Sequence, residues 1–391
     1  MKTTVAAVDF GTSKIVALVA ETSGRQRCDI VGAGISTYDG FMDGNWNTPD
    51  QVGQAIAAAL HEAEVQSRVR IREVNVGVPS AFSTVQTVEV KVDLQGADPR
   101  VTARDINDLF EKANEQLGQV RGSVIHRSPA WFVVDDGKKT LEPMGMRGYE
   151  LRAQVSFVIA DAFFLEDVTE RFRGLGVTVN GFFSTPTGQA MLFIADEERD
   201  RTAVLVDMGY LNTEVMTVEG DALTSLKTIP MGGGNIAADM AYGLEIPLQS
   251  AEQIKRAYTF GISAGQSSFD ATDKNGSPVT LSREKVEQVL EPRAEEICEA
   301  VRDAVKESGV KLSNWSPVYL TGGGMAINRG GREYLAAKLG RTVRELPRKA
   351  VKLSSPAYSS ALGLLDLVID TISNANTTGG MGGFFRSLFG N

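Results

Sequence analysis

Val5-Ala6-Ala7-Val8-Asp9-Phe10-Gly11-Thr12-Ser13-Lys14 decides the fold, because its pattern returns later in the chain. A short apolar run ends in Asp-x-Gly, passes through two hydroxyl residues and continues as a second apolar run over residues 15–20, which predicts a β-hairpin with a polar tip. Ala203-Val204-Leu205-Val206-Asp207-Met208-Gly209 repeats the arrangement, followed by a tip and an apolar run over 215–218. Asp207 lies 198 positions after Asp9, about half of the chain. Each hairpin is followed by a third apolar segment, 30–35 and 226–231, and then by a helical pattern. The first helix is expected over 49–66, with Ala55, Ile56, Ala59, Leu60 and Ala63 on one face, and the second from Gly232-Gly233-Gly234 to Tyr242. Asp-x-Gly alone is a common turn tripeptide. The pairing of two copies at matching places predicts two related α/β halves.

A third glycine element, Leu320-Thr321-Gly322-Gly323-Gly324-Met325, ends another apolar strand, where glycine lets a backbone approach a ligand and offer amide donors. Between these elements Glu252, Lys255 and Arg256 share one helical face, as ligand contacts or as a solvated salt bridge.

The 391 residues fit two to three domains, and 42% hydrophobic with 23% charged residues exclude a disordered or fibrous chain. A net charge of -9 argues against nucleic acid as a partner. Two cysteines 270 positions apart, Cys28 and Cys298, make no disulfide framework and no metal knuckle, and His61 and His126 have no ligand-spaced companion. Any chemistry must therefore use carboxylates, hydroxyls, glycines and lysines. The start of the sequence has no basic leader and no apolar run is long enough to span a bilayer, so a cytoplasmic protein is expected.

The ordered set of motifs resembles the actin-like ATPase superfamily, and within it the bacterial cell-division FtsA family, over nearly the full length. The resemblance implies an α/β two-domain fold that binds ATP or ADP with Mg2+ between its domains. The first phosphate loop would be Asp9, Gly11, Thr12, Ser13 and Lys14, and the second Asp207, Gly209 and Asn212. Gly232, Gly233, Gly234, Glu252, Lys255, Arg256, Gly322, Gly323, Gly324 and Met325 would complete the nucleotide site, with Mg2+ held through water near Asp9 and Asp207 rather than directly by the protein. Asp207 and Gln189 are the catalytic candidates.

The family also implies a small inserted α/β subdomain, matched here by alternating Val85 to Val92, a helical pattern over 102–117, and Pro143-Met144-Gly145-Met146 before a strand over 151–159. The resulting division is 1–83 and 162–202 for the first domain, 84–161 for the insert, 203–355 for the second domain and 356–372 for a closing helix of the first. Residues 373–383 are a flexible linker and 384–391 an amphipathic segment. Glu291-Pro292-Arg293 resembles the helix where FtsA proteins receive the tail of FtsZ, which makes Arg293 a partner contact or half of a salt bridge to Glu296.

Residues 373–383 have linker composition and would span roughly 17 to 20 Å on average. Beyond them Phe384, Phe385, Leu388 and Phe389 fall on one helical side. This resembles the family's membrane-targeting helix, implying a peripheral protein on the inner face of the cell membrane at the division site. Self-association into filaments, FtsZ, membrane lipids and other division proteins are the implied partners. The second loop departs from the family: Tyr210 and Leu211 stand where it has glycines, so weak hydrolysis or none is expected. A pilus-assembly scaffold and a small-molecule kinase of the same superfamily are the alternatives.

Overall fold

The computed structural model describes residues 3–23, 28–261, 267–310, 312–349 and 353–376. β1 (Thr3–Phe10) and β2 (Lys14–Thr22) form the first hairpin, with Gly11 N–H donating to the Lys14 carbonyl at 3.0 Å across the tip. β3 (Cys28–Thr37) extends the sheet, and β4 (Phe41–Met42) and β5 (Asn45–Trp46) make a small ribbon. α1 (Pro49–Ser67) starts with proline in its first turn, where the missing N–H has no helical partner to lose, and buries Val52, Ala55, Ile56, Ala59, Leu60 and Ala63 on one stripe. β6 (Glu73–Val78) then runs parallel to β1.

A 3-10 turn at Ser80–Phe82 leads into the insert: β7 (Ser83–Asp93), α2 (Ala103–Leu117), β8 (Ser123–Val134) and β9 (Glu150–Ala160), in the sheet order β7-β9-β8. α2 opens with a reciprocal cap between Thr102 and Asp105, which satisfies amides that the first turn leaves free. Ile106, Leu109, Phe110 and Ala113 pack with Phe132, Val155 and Phe157 as a separate core. The chain returns through α3 (Ala162–Gly174) to β10 (Thr178–Ser184), completing the first sheet in the order β10-β6-β1-β2-β3. α4 (Thr185–Phe193) and α5 (Asp196–Arg199) connect to the second domain.

That domain contains β11 (Ala203–Met208), β12 (Thr213–Glu219), β13 (Ala222–Ile229), α6 (Gly233–Gly243) and α7 (Leu248–Ala257). A hairpin of β14 (Ser268–Thr272) and β15 (Pro278–Ser282) precedes α8 (Arg283–Glu307), β16 (Val318–Thr321), α9 (Gly331–Leu339) and β17 (Val343–Glu345). Its sheet order, β13-β12-β11-β16-β17, repeats the first sheet strand for strand. The repeat extends to detail. Gly209 N–H closes its tip on the Asn212 carbonyl at 2.9 Å, as Gly11 does on Lys14. The register slips at Val19/Ala20 in β2 and at Thr217/Val218 in β12, the same 198 positions apart. The expected two halves and α/β insert are thus present.

α10 (Ser359–Asn376) returns to the first domain, where Ala361, Leu364, Leu365 and Val368 cover Val5, Ala7, Val16 and Leu18. It crosses α4 backbone against backbone, since a methyl group placed on Gly363 would stand 2.4 Å from the Gln189 Cα. The insert also leans on the second domain, through Ser156 Oγ donating to the Leu223 carbonyl at 2.5 Å and a Lys139–Glu219 ion pair. No helix among the described residues is long and apolar enough to cross a membrane.

Candidate functional site

The two hairpin tips face each other across a cleft of about 320 Å3. Asp9, Gly11, Thr12, Ser13 and Lys14 line it from the first domain, Asp207, Gly209 and Asn212 from the second, and Glu252, Arg256, Gly322 and Gly323 from the helix and glycine turn beyond. Tyr38 Oη donates to the Gly11 carbonyl at 2.8 Å, which steadies the first tip. The duplicated hairpin explains this convergence: each Asp ends a buried strand, and each tip reverses over polar residues that reach the space between the sheets.

Three carboxylates, Asp9, Asp207 and Glu214, line the cleft. Asp9, 3% exposed, accepts from Ser360 Oγ at 2.7 Å and Thr185 Oγ1 at 3.4 Å. Burial raises its pKa, and those bonds and Lys14 oppose the rise. Asp207 is pushed up to about 6 by burial, against a hydrogen bond from Gln189 and with the Asp9 charge adding to the rise. Glu214, across the hairpin from Asp207, is pushed up to about 8 by burial and then by the Asp207 charge, while bonds from the Ser80 hydroxyl and amide lower it. Lys14 is lowered by burial, and its Nζ lies 4.1 Å over the Tyr358 ring.

Six residues expected at the nucleotide stand behind the cleft wall instead. Gly233 N–H donates to the Gly209 carbonyl at 2.9 Å, Gly234 N–H to the Tyr210 carbonyl at 2.6 Å, and Gly232 N–H to Asn235 Oδ1 at 2.9 Å. The Gly233 and Gly234 amides therefore fasten α6 to the second hairpin, and the Gly232 amide is taken by α6's own Asn235. A methyl group on Gly234 would lie 2.8 Å from the Tyr210 ring, so that ring rests against Gly234. Lys255, 2% exposed, turns inward to Glu252 at 2.7 Å and the Gly233 carbonyl at 2.9 Å. Gly324 N–H bonds the Met208 carbonyl at 2.7 Å, and Met325 is buried in the core of the second domain. Gln189 also lies off the wall, its Nε2 donating to Asp207 Oδ2 at 2.6 Å.

Arg293 pairs with Asp239 at 2.6 Å and Glu296 at 2.7 Å. Phe384, Phe385, Leu388 and Phe389 lie outside the described residues. Sequence reasoning missed Glu214, Thr185, Tyr358 and Ser360 on the wall. Glu214 had a signal, because residues equally distant from a hairpin tip face each other. Thr185, Tyr358 and Ser360 had none, being brought by two helices and a turn far away in the chain.

The cleft suits a polyphosphate accompanied by a cation. Lys14 and Arg256 supply positive charge, Asn212 Nδ2 is a buried donor with no partner among the described residues, and the acids would repel a bare anion. Among the described residues no group of three or more His, Cys, Asp or Glu could hold a metal ion unaided.

Comparison with known proteins agrees with the duplicated architecture. Residues 204–363 match the family model for cell division protein FtsA, and residues 83–159 match that for the SHS2 domain inserted in FtsA. The chain is 26% identical over 372 residues to cell division protein FtsA of Pseudomonas aeruginosa, covering 92% of this chain and 87% of that one. It is 24% identical over 381 residues to that of Escherichia coli K12, covering 92% and 89%. Among solved structures, a PilM-PilN type IV pilus biogenesis complex superposes with a TM-score of 0.63 at 18% identity, over 93% of this chain and 98% of that one. MreB5 of Spiroplasma citri bound to AMPPNP gives 0.54 at 12%, over 95% and 98%. These two likenesses show the fold alone, the actin-like one. The two FtsA models together take in more than half of the sequence, and the chain belongs to the FtsA family of cell-division proteins within the actin-like superfamily.

Proposed function

We propose that this chain is a nucleotide-binding, membrane-tethered adaptor of the division ring. It binds ATP or ADP with Mg2+ in the cleft, associates with copies of itself, and links the tail of FtsZ and other division proteins to the cytoplasmic membrane. The observation that carries the reading is the convergence of Asp9, Lys14 and Asp207 from two matching hairpins on one cleft. Mg2+ would neutralise the phosphates between Asp9 and Asp207, and Lys14 and the first tip would orient them. The second tip supports slow turnover at most. Leu211 N–H is engaged by Thr12, and the Gly233 and Gly234 amides are engaged by hairpin carbonyls, so these donors do not face the cleft.

Membrane attachment rests on residues 384–391. Each large apolar side chain contributes at most ~1.5 to 3 kcal/mol on burial, and so short a segment loses entropy on becoming helical. One copy binds reversibly, and an array of copies raises the effective concentration, so polymerisation and attachment reinforce each other. Arg293, 28% exposed on α8, would turn from Asp239 and Glu296 to an incoming acidic tail.

The test is calorimetric titration of ATP and ADP with and without Mg2+, followed by electron microscopy on a lipid monolayer. Saturable binding and lipid-dependent filaments are expected. Absence of binding for both nucleotides rejects the nucleotide part of the reading.

A further inference from the structure

Gln189 follows Gly188, whose backbone lies against Gly363 of α10, and it is 1% exposed. Its Nε2 reaches two partners, Asp207 Oδ2 at 2.6 Å and Ser359 Oγ at 2.8 Å. A carbonyl oxygen facing a carboxylate would have no proton to share, so the nitrogen is the atom turned to Asp207. Ser359 is itself fixed, at 2.8 Å from Thr321 Oγ1 and donating to the Pro356 carbonyl at 2.8 Å. The network of Thr321, Ser359, Gln189 and Asp207 joins both domains behind the floor of the cleft.

We propose that Gln189 is a positioning residue for Asp207: it fixes the direction of that carboxylate toward the cleft and does not itself handle water. A group that orients water has to reach the cavity with a free donor or acceptor. Gln189 contributes nothing to the cavity wall, and both of its amide protons have partners. What it can do is favour the ionised form of Asp207, because a donor bonded to a carboxylate stabilises its charge. That support is needed. Burial and Asp9 oppose ionisation, and Lys14 assists.

The ligand side of this proposal rests on the nucleotide reading above, while its geometry does not, so the test has two arms. In the ligand-free protein, aspartate carboxyl NMR with the Asp207 signal assigned through Asp207→Asn follows its titration. Gln189→Ala is expected to raise the midpoint by about one pH unit, and Ser359→Ala, which leaves Gln189 in place, to raise it by less. In calorimetry, Gln189→Ala is expected to lose ~10-fold affinity for Mg-ADP and less than about 2-fold for ADP in chelator. An unchanged Asp207 titration in both variants overturns the proposal. Loss of hydrolysis with titration and Mg-ADP affinity both unchanged does so too, as the signature of a residue that orients water. A wild-type protein that binds neither nucleotide counts against the nucleotide reading, and the first arm still decides this one.

Discussion

The Leu211 N–H donates to Thr12 Oγ1 at 2.9 Å, so the tips of hairpins from opposite domains are joined across the cleft. The bond holds together two elements that a rigid-body motion of the domains has to separate. Thr12→Val keeps the shape and removes the acceptor, leaving a part-buried donor unpaired at a cost of about 1 kcal/mol. Hydrogen exchange at residues 209–213 is expected to quicken several-fold. Exchange at the wild-type rate means that the tips are not joined in solution.

Gly363→Ala tests the helix crossing. The added methyl meets the Gln189 and Gly188 backbone at 2.4 to 2.6 Å, where no side-chain rotation relieves it. A loss of about 3 kcal/mol or more is expected by urea unfolding, since backbone overlap is relieved only by parting the helices.

Tyr210 and Gly234 form a pair specific to this second tip. Tyr210→Ala is expected to destabilise by roughly 1 to 2 kcal/mol, because the half-buried ring leaves a partial void. In Gly234→Ala part of the overlap is with the same ring. The double variant should therefore lose about 1 kcal/mol less than the sum of the singles, and strict additivity would show that the ring does not rest there.

The cleft acids set a pH dependence with a defined sign. Folding lifts Asp207 to about 6 and Glu214 to about 8, so the folded chain keeps protons that the unfolded chain releases above an ordinary carboxylate value of about 4. Linkage makes this contribution to stability complete at low pH and progressively lost as pH rises through those values. The ligand-free melting temperature should therefore be lower at pH 8 than at pH 6.5, and Glu214→Gln should flatten the difference. Binding of Mg-ADP draws the acids toward their charged forms and releases protons, which calorimetry in two buffers of different protonation enthalpy measures. Proton uptake would contradict the assignment.

Deletion of residues 384–391 is expected to release the protein from liposomes without changing its circular dichroism. Co-sedimentation at the wild-type level rejects the tail as the anchor.

The sequence revealed the duplication, because strand alternation and Asp-x-Gly tips are local properties, and hence most of the cleft floor: Asp9, Lys14, Asp207 and their neighbours. The α2 boundary was legible for the same reason, with Thr102 and Asp105 three apart. Spacing did not reveal which amides would find partners inside the protein. Gly232, Gly233 and Gly234 look like a cradle in sequence, yet the Tyr210 ring rests against Gly234 and carbonyls of the hairpin take the Gly233 and Gly234 protons. Gln189 was read by its place in the superfamily pattern, and only the position of Asp207 shows what its amide holds. Tyr358 and Ser360 were invisible because nothing near them in sequence mentions the cleft.

The bond from Ser360 to Asp9 joins residues 351 positions apart. At a synthesis rate of about 5 to 20 residues per second, the first strand waits roughly 20 to 70 s for α10 to arrive. Through that interval the face formed by Val5, Ala7, Val16 and Leu18 has no cover from α10, and Asp9 lacks one of its two hydroxyl partners. The second domain is translated in between and can fold first. A nascent chain therefore has no complete cleft, and newly made copies acquire one only after the first domain has been closed from its far end.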